Sequence, residues 1–327
     1  MRINLKNFYL KLALFSCLVL TFLYYFSNQF AKPPAHNGPI TVVIKPATSS
    51  STIANQLAEA SVIQHPWQFL IRHYLTWPRR ALIAGEYLFN SNQSCLEVLQ
   101  QIQAGRVVIR KLTIPEGWTV GQVVTSLQQI ECLTGEITKI PSEGSLLPET
   151  YLYVYGDNRQ EILNRMAEAM KQQLSQLWMQ RQSDDFIIQT PEIALTLASI
   201  VEKETGIPEE RARIAGVFLN RLRLGMPLQS DPTVIYALTL GKQPLGRLLS
   251  RADLAISSVY NTYKIVGLPP FPIACPGIQS LKAVLNPLLT KELYFVADGT
   301  GGHRFSETLE QHNYYVSKWR QLNRKKV

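Results

Sequence analysis

Cysteine is scarce in this chain: Cys17, Cys95, Cys132 and Cys275 are the only four in 327 residues, and no CxxC pair occurs. That excludes zinc-ribbon and thioredoxin-type centres. The five histidines (His36, His65, His73, His303, His312) are scattered without zinc-ligand spacing. No metal and no cofactor is therefore expected. The glycine cluster Gly299 to Gly302 has no following Lys-Ser or Lys-Thr and is no P-loop. Internal repeats and low-complexity tracts are lacking. Charged residues make up only 17%. Lys and Arg exceed Asp and Glu by 33 to 24, giving +9, but the basic residues form only small clusters such as Arg79-Arg80 and Arg110-Lys111. Without a basic run interleaved with aromatics, nucleic acid is not the expected partner. A membrane surface or an acidic polymer suits the charge better.

What is present begins at the N-terminus. Arg2, Lys6 and Lys11 precede the apolar run Leu12 to Phe26. From Phe8 to Phe26 a helix would measure roughly 28 Å, close to the bilayer core. Lys11 near its end can snorkel to the headgroups. No small-x-small cleavage site follows; the residues after Leu23 are Tyr, Tyr, Phe, Ser, Asn, Gln and Phe. An anchor with a cytoplasmic N-terminus and an exported remainder is expected rather than a cleaved signal. In an oxidising compartment Cys95 and Cys132 could pair; equally, all the cysteines could be buried thiols.

Residues 28–39, with Lys-Pro-Pro, Asn-Gly and Gly-Pro, read as a linker. A β-branched run at Ile40 to Lys45 precedes two helical patterns, the first with Ser51 as a candidate N-cap and the second over Pro66 to Leu75. Gly85 to Phe89 then returns as a strand. Strand, two helices and strand form a small α+β module that resembles a LysM-like unit, which would bind glycan; a structural spacer is the plainer alternative. After a strand over Val107 to Ile114 and a helix over Thr119 to Gln129, Asp157 can cap a long helix through about Met179.

The densest information lies between Leu197 and Tyr236. A mostly apolar helix, 192–205, places Glu202 and Glu204 at its end. Glu204 continues the stripe Ile193, Leu197, Ile200, and Glu202 continues Leu195, Ala198. At 100° per residue the two carboxylates point about 160° apart, so only one faces a given cleft. Both stripes are apolar, and periodicity does not choose between them. A carboxyl against apolar walls resists ionisation, which is the state a glycosidase acid needs. Asp231-Pro232-Thr233 reads first as an N-cap before a proline at the first helical position, and second as another site carboxylate.

The runs LASIVEKET, VFLNRLRLGMPLQSDPTVIYAL, LSRADL, YNTY, GLPP and YFVADGTGGHRFS resemble the endolytic murein transglycosylases, the MltG/YceG-like family. The resemblance covers most of the chain. It implies an α+β protein with an N-terminal transmembrane helix, a LysM-like module and a lysozyme-like catalytic domain. The expected parts are 1–27 (cytoplasmic tip and anchor), 28–39 (linker), 40–106 (LysM-like module), 107–154 (intermediate subdomain) and 155–327 (catalytic domain). It also implies cleavage of peptidoglycan strands between MurNAc and GlcNAc to leave a 1,6-anhydro-MurNAc end. Expected partners are glycan strands, the inner membrane and peptidoglycan synthases, with the body periplasmic. Because Glu204 precedes Thr205, as the related catalytic Glu precedes Ser or Thr, the resemblance favours Glu204 as acid and then base, leaving Glu202 structural. Substrate-binding candidates are Asn220, Arg221, Gln229, Ser230, Asp231, Tyr260, Asn261 and Tyr263. Each has a plainer reading: Arg221 in an ion pair, the tyrosines in the core. His303 reads as a strand residue without a catalytic role, and Ser306 as the cap of the last helix, 307–322.

Overall fold

The computed structural model describes residues 13–21, 24, 38–76, 78, 80–181 and 186–324. Residues 13–21 are helical and exposed; apart from Tyr24, the rest of the expected anchor lies outside the described residues, as does most of the linker. Among the described residues no helix is long and apolar enough to cross a membrane. The chain divides into two compact units: one holds the residues through Arg110 with Val154–Gly156, the other Lys111–Tyr153 with the residues from Asp157 onward. Residues 111–153, most of the expected intermediate subdomain, thus share a unit with the expected catalytic domain.

In the first unit β1 (Ile40–Ile44) pairs antiparallel with β2 (Gly85–Phe89), Val42 opposite Tyr87. Between them lie α1 (Ser50–Glu59) and α2 (Pro66–Leu75), and α3 (Cys95–Gln103) follows. Ser49, not Ser51, caps α1, its hydroxyl accepting the Thr52 amide. α3 opens with a capping box, Ser94 and Glu97 each accepting the other's backbone N–H. Ile44, Ile53, Leu57, Phe69, Phe89, Val98 and Ile102 close one core over these elements. Glu86, buried, is held by a bidentate bond from Arg110. The order β-α-α-β is the one read from the sequence.

Past its first residue, β3 (Arg110–Thr113) belongs to the second unit, where it pairs with β4 (Thr150–Tyr153) beside the helices α4 (Val120–Gln128) and α5 (Arg159–Met179). Asn158, one residue past Asp157, caps α5 by accepting the amides of Gln160 and Glu161. The centre is α6 (Pro191–Glu204), capped by Thr190 and with Pro191 in its first turn. Every residue from Ala194 to Val201 is buried. Packed around it are α7 (Pro208–Arg223) and, in chain order after α8 (Asp231–Thr239) and α9 (Arg251–Leu254), α10 (Ile278–Leu285). Gly216 on α7 is required by close approach: a Cβ there would lie 2.4 Å from the carbonyl oxygen of Leu288. β5 (Tyr294–Ala297) and β6 (His303–Ser306) form an antiparallel hairpin with Ala297 opposite His303. The final helix, α11 (Leu309–Arg324), starts later than expected. Thr308 accepts the Gln311 amide at its start, while Ser306 ends β6 buried. All four cysteines are free thiols, so the pairing of Cys95 with Cys132 is not made.

Candidate active site

The end of α6 sends its two carboxylates to opposite fates. Glu202, with its side chain 5% exposed, accepts the backbone amide of Gly277 at 2.9 Å and faces the Arg211 guanidinium at 3.7 Å. Arg211 also reaches Glu116 at 3.5 Å. A buried acid matched to a cation and an amide is tied into the scaffold. Glu116, crowded by burial and by Glu202, is held above the usual carboxylate range.

Glu204 meets different company. It lines a cleft of about 350 Å³ together with Arg221, Leu228, Gln229, Asp231, Tyr263, residues 295–297 of β5, His303 and His312. Ser230 donates its hydroxyl to Glu204 Oε1 at 2.5 Å. Protein crowds the carboxyl while the cleft leaves part of the residue accessible. Desolvation dominates and raises its pKa from 4.5 to about 7; Asp231 adds to the rise, and the Ser230 hydroxyl, His303 and Arg221 oppose it. The group is thus poised to hold or give up a proton near neutrality.

The residues that shape the cleft come from well-separated segments. α7 supplies Arg221, whose guanidinium donates to carbonyl oxygens: Nε to Leu293 at 2.6 Å and Nη1 to Leu228 at 2.8 Å. Among the described residues it hydrogen-bonds no acid; instead it joins the 227–228 loop to the residue before β5, and burial pushes its pKa down. In that loop Gln229 takes a positive φ of 51° while its amide donates to the Thr262 carbonyl. The Ser230 amide donates to Thr262 Oγ1 at 3.0 Å, which fixes the serine that holds Glu204. α8 begins at Asp231, so Ser230 occupies the cap position and the Asp231 side chain does not cap. Asp231 instead accepts the Tyr263 hydroxyl at 2.6 Å, and burial beside it drives that phenol well above its ordinary pKa.

Of the nine residues proposed from the sequence, Glu204, Arg221, Gln229, Asp231 and Tyr263 share one cleft, and Ser230 touches Glu204 directly. Asn220, Tyr260 and Asn261 are used elsewhere. Asn220 donates to the carbonyls of Thr290 and Glu292. Tyr260 packs against Tyr236 with ring centres 4.9 Å apart. Asn261, fully buried, donates to the carbonyls of Leu254 and Ile256. Sequence reasoning set His303 aside as a strand residue and did not place His312 or Phe295 in the site; the β5–β6 hairpin and α11 bring all three to the cleft from 91 to 108 residues beyond Glu204. The tract YFVADGTGGHRF marked a hairpin, but nothing in its periodicity indicated what the hairpin faces.

A carboxyl poised to hold or release a proton near neutrality on a cleft wall, with a second carboxyl engaged by a tyrosine and with amide, hydroxyl and aromatic groups around them, fits a class of proteins that handle polar ligands. The particular family follows from comparison: the chain belongs to the YceG-like family, whose model matches residues 42–318. It is similar to the endolytic murein transglycosylase of Streptococcus pneumoniae, 30% identical over 328 residues, covering 85% of this chain and 58% of that protein. It thus spans little more than half of the pneumococcal relatives. The endolytic murein transglycosylase of Bacillus subtilis is 30% identical over 313 residues, covering 86% of this chain and 84% of that one. Among solved structures, a yceG-like protein from Listeria monocytogenes aligns with a TM-score of 0.51 at 31% identity, over 85% of this chain and 99% of that chain.

Proposed function

We propose that the chain is an endolytic peptidoglycan lytic transglycosylase with Glu204 as its acid. The observation that carries the reading is the Glu204 carboxyl itself: desolvated, held by Ser230, and exposed to a cleft large enough for a sugar. The relatives named endolytic murein transglycosylases supply the substrate class. Protonated Glu204 donates to the glycosidic oxygen as the bond to MurNAc C1 breaks, and an oxocarbenium-like centre develops on that sugar. The C6 hydroxyl of the same sugar closes onto C1, giving the 1,6-anhydro end. Over the cycle that hydroxyl's proton restores Glu204. Because the nucleophile is intramolecular, no second catalytic carboxylate is required.

One observation favours a second reading, a hydrolytic muramidase: Asp231 lies in the same cleft and could direct a water. Its engagement with Tyr263 argues for a binding or framing role instead. Mass spectrometry of fragments released from purified sacculi decides. Anhydro ends lack one water relative to reducing ends. Anhydro products from the unaltered protein and none from Glu204→Gln are expected; reducing ends alone would establish the muramidase, and no release at all a binding scaffold.

The segment 8–26 is proposed as a membrane anchor that holds the body in the periplasm near glycan synthesis, with wall synthases as partners and the β-α-α-β module as a glycan-binding unit. The basic flank and the run Leu12 to Phe26, which carries no charged residue, support the anchor. Added protease checks the orientation: a periplasmic body is digested in spheroplasts but not in intact cells, whereas a body that survives in intact spheroplasts lies on the cytoplasmic side.

A further inference from the structure

The cleft contains a group that the single-acid scheme does not use. His303 lines it beside Glu204, and Glu210, on the first turn of α7, grips that histidine twice. Glu210 Oε1 accepts the His303 backbone amide at 2.8 Å, and Oε2 lies 2.7 Å from Nδ1. Thr205, the residue after Glu204, also donates its hydroxyl to Glu210 Oε2. Three donors converging on one carboxylate assign the Nδ1 hydrogen to the shared bond, since an ionised carboxylate only accepts. In the neutral ring Nε2 then carries a lone pair. Phe295 holds the ring edge-on, with centroids 5.3 Å apart. Gly302 leaves room for the arrangement, since a Cβ there would lie 2.9 Å from Glu210 Oε1. A carboxylate that fixes the tautomer and orientation of an imidazole is the device by which histidine becomes a general base.

We infer that His303, positioned by Glu210, is the base that takes the proton from the MurNAc C6 hydroxyl, so that acid and base are separate groups in the cleft. The inference rests on the transglycosylase reading and deepens it. Glu204 gives its proton to the leaving O4 as the C1–O4 bond breaks. O6 bonds to C1 while its hydrogen passes to His303 Nε2, and the imidazolium so formed is paired with the Glu210 carboxylate. The imidazolium then returns the proton to the Glu204 carboxylate, and nothing is consumed. His303 is the catalytic residue of this second step and Glu210 its positioning residue.

The test compares the unaltered full chain with His303→Gln and Glu210→Gln on purified sacculi, scoring kcat, KM and the ratio of anhydro to reducing ends. The expected result is a fall in kcat of about 10²-fold, with KM nearly unchanged. Reducing ends should appear, because water captures the oxocarbenium-like centre when O6 is not activated. Glu210→Gln, which keeps only one of the two acceptor oxygens and lacks the charge that pairs the imidazolium, should give the same change of end ratio to a smaller degree. An unaltered end ratio in both variants overturns the inference, whatever the loss of rate, because a structural role lowers yield without redirecting the product. If His303→Gln fails to fold, the end ratio of Glu210→Gln decides alone. Failure of the transglycosylase reading looks different: the unaltered protein itself then releases no anhydro ends.

Discussion

Glu202 and Glu204 sit two residues apart on one helix, yet their surroundings have opposite character. Around Glu202 the chain has placed Arg211 and the Gly277 amide, and these donors stabilise the charge. Around Glu204 it has placed close-packed protein that desolvates the carboxyl, the Ser230 hydroxyl and a cleft, while the nearby Arg221 spends its hydrogen bonds on carbonyl oxygens. The difference teaches that burial alone does not make an acid functional. A buried carboxylate whose charge is matched is scaffold; one whose charge is left nearly unmatched beside a cavity is a proton store.

The largest expected effect breaks the pair apart. Glu204→Gln should lower glycan cleavage by about 10²–10⁴-fold, the range for loss of a general acid, while the fold survives. Glu202→Gln should leave the chemistry of the folded fraction intact but destabilise the protein by about 2–3 kcal/mol. That is somewhat under the usual cost of orphaning a buried partner, because Arg211 keeps Glu116. Cleavage assays run alongside thermal unfolding of both variants check the crossover. Equal effects on both readouts would dissolve the distinction between the sites.

The next effect is one of pH. The Glu204 pKa stands at about 7 in the folded chain against 4.5 for an unperturbed carboxyl. Between those values the native state keeps a proton that the unfolded state has released. Stability therefore falls as pH rises through that window and levels off above about 7. The full difference is up to about 3 kcal/mol, and Glu204→Gln should recover much of it, visible as a higher Tm at pH 8 than the unaltered protein but not at pH 4. Cleavage should decline tenfold per pH unit above about 7 as the acid form is lost. Ser230→Ala removes a bond that favours the charged form, so the alkaline limb should move to higher pH. A limb that stays in place would show that the hydroxyl does not act on this carboxyl.

The sequence makes this contrast legible only in part. The helical phase of Glu202 and Glu204 is visible in periodicity, because α6 is regular from Pro191 to Glu204. Gln229, Ser230 and Asp231 follow in the same tract, and their closeness to Glu204 is a matter of one loop between α7 and α8. Glycine punctuation also places the β5–β6 hairpin, and a β-branched run places the first strand of the first unit. The partners of the two carboxylates are another matter. Gly277 is 75 residues from Glu202 and His303 is 93 from Glu210, so no local pattern encodes either bond. Asn220, Tyr260 and Asn261 illustrate the converse. Their side-chain chemistry suits sugar binding, but backbone carbonyls and a tyrosine ring claim them, and only the folded packing reveals which demand is met.

The smallest effect probes the scaffold side of the contrast. Gly277 donates its amide to Glu202, and a Cβ added there would fall 1.8 Å from Glu116 Oε1. Glu116 is a long side chain with 42% of its surface exposed, so it can swing away rather than force the backbone. Gly277→Ala should therefore displace Glu116 from Arg211 and leave the Glu202 bonds in place. The expected loss is about 0.5–1 kcal/mol, the worth of a half-exposed ion pair, with no change in the pH limb set by Glu204. Combining Gly277→Ala with Glu202→Gln should then cost more than the sum of the two, because Arg211 loses both of its acids and stays buried. A strictly additive double variant would mean that Arg211 finds water instead, and that the charge matching which sets Glu202 apart from Glu204 is weaker than the geometry implies.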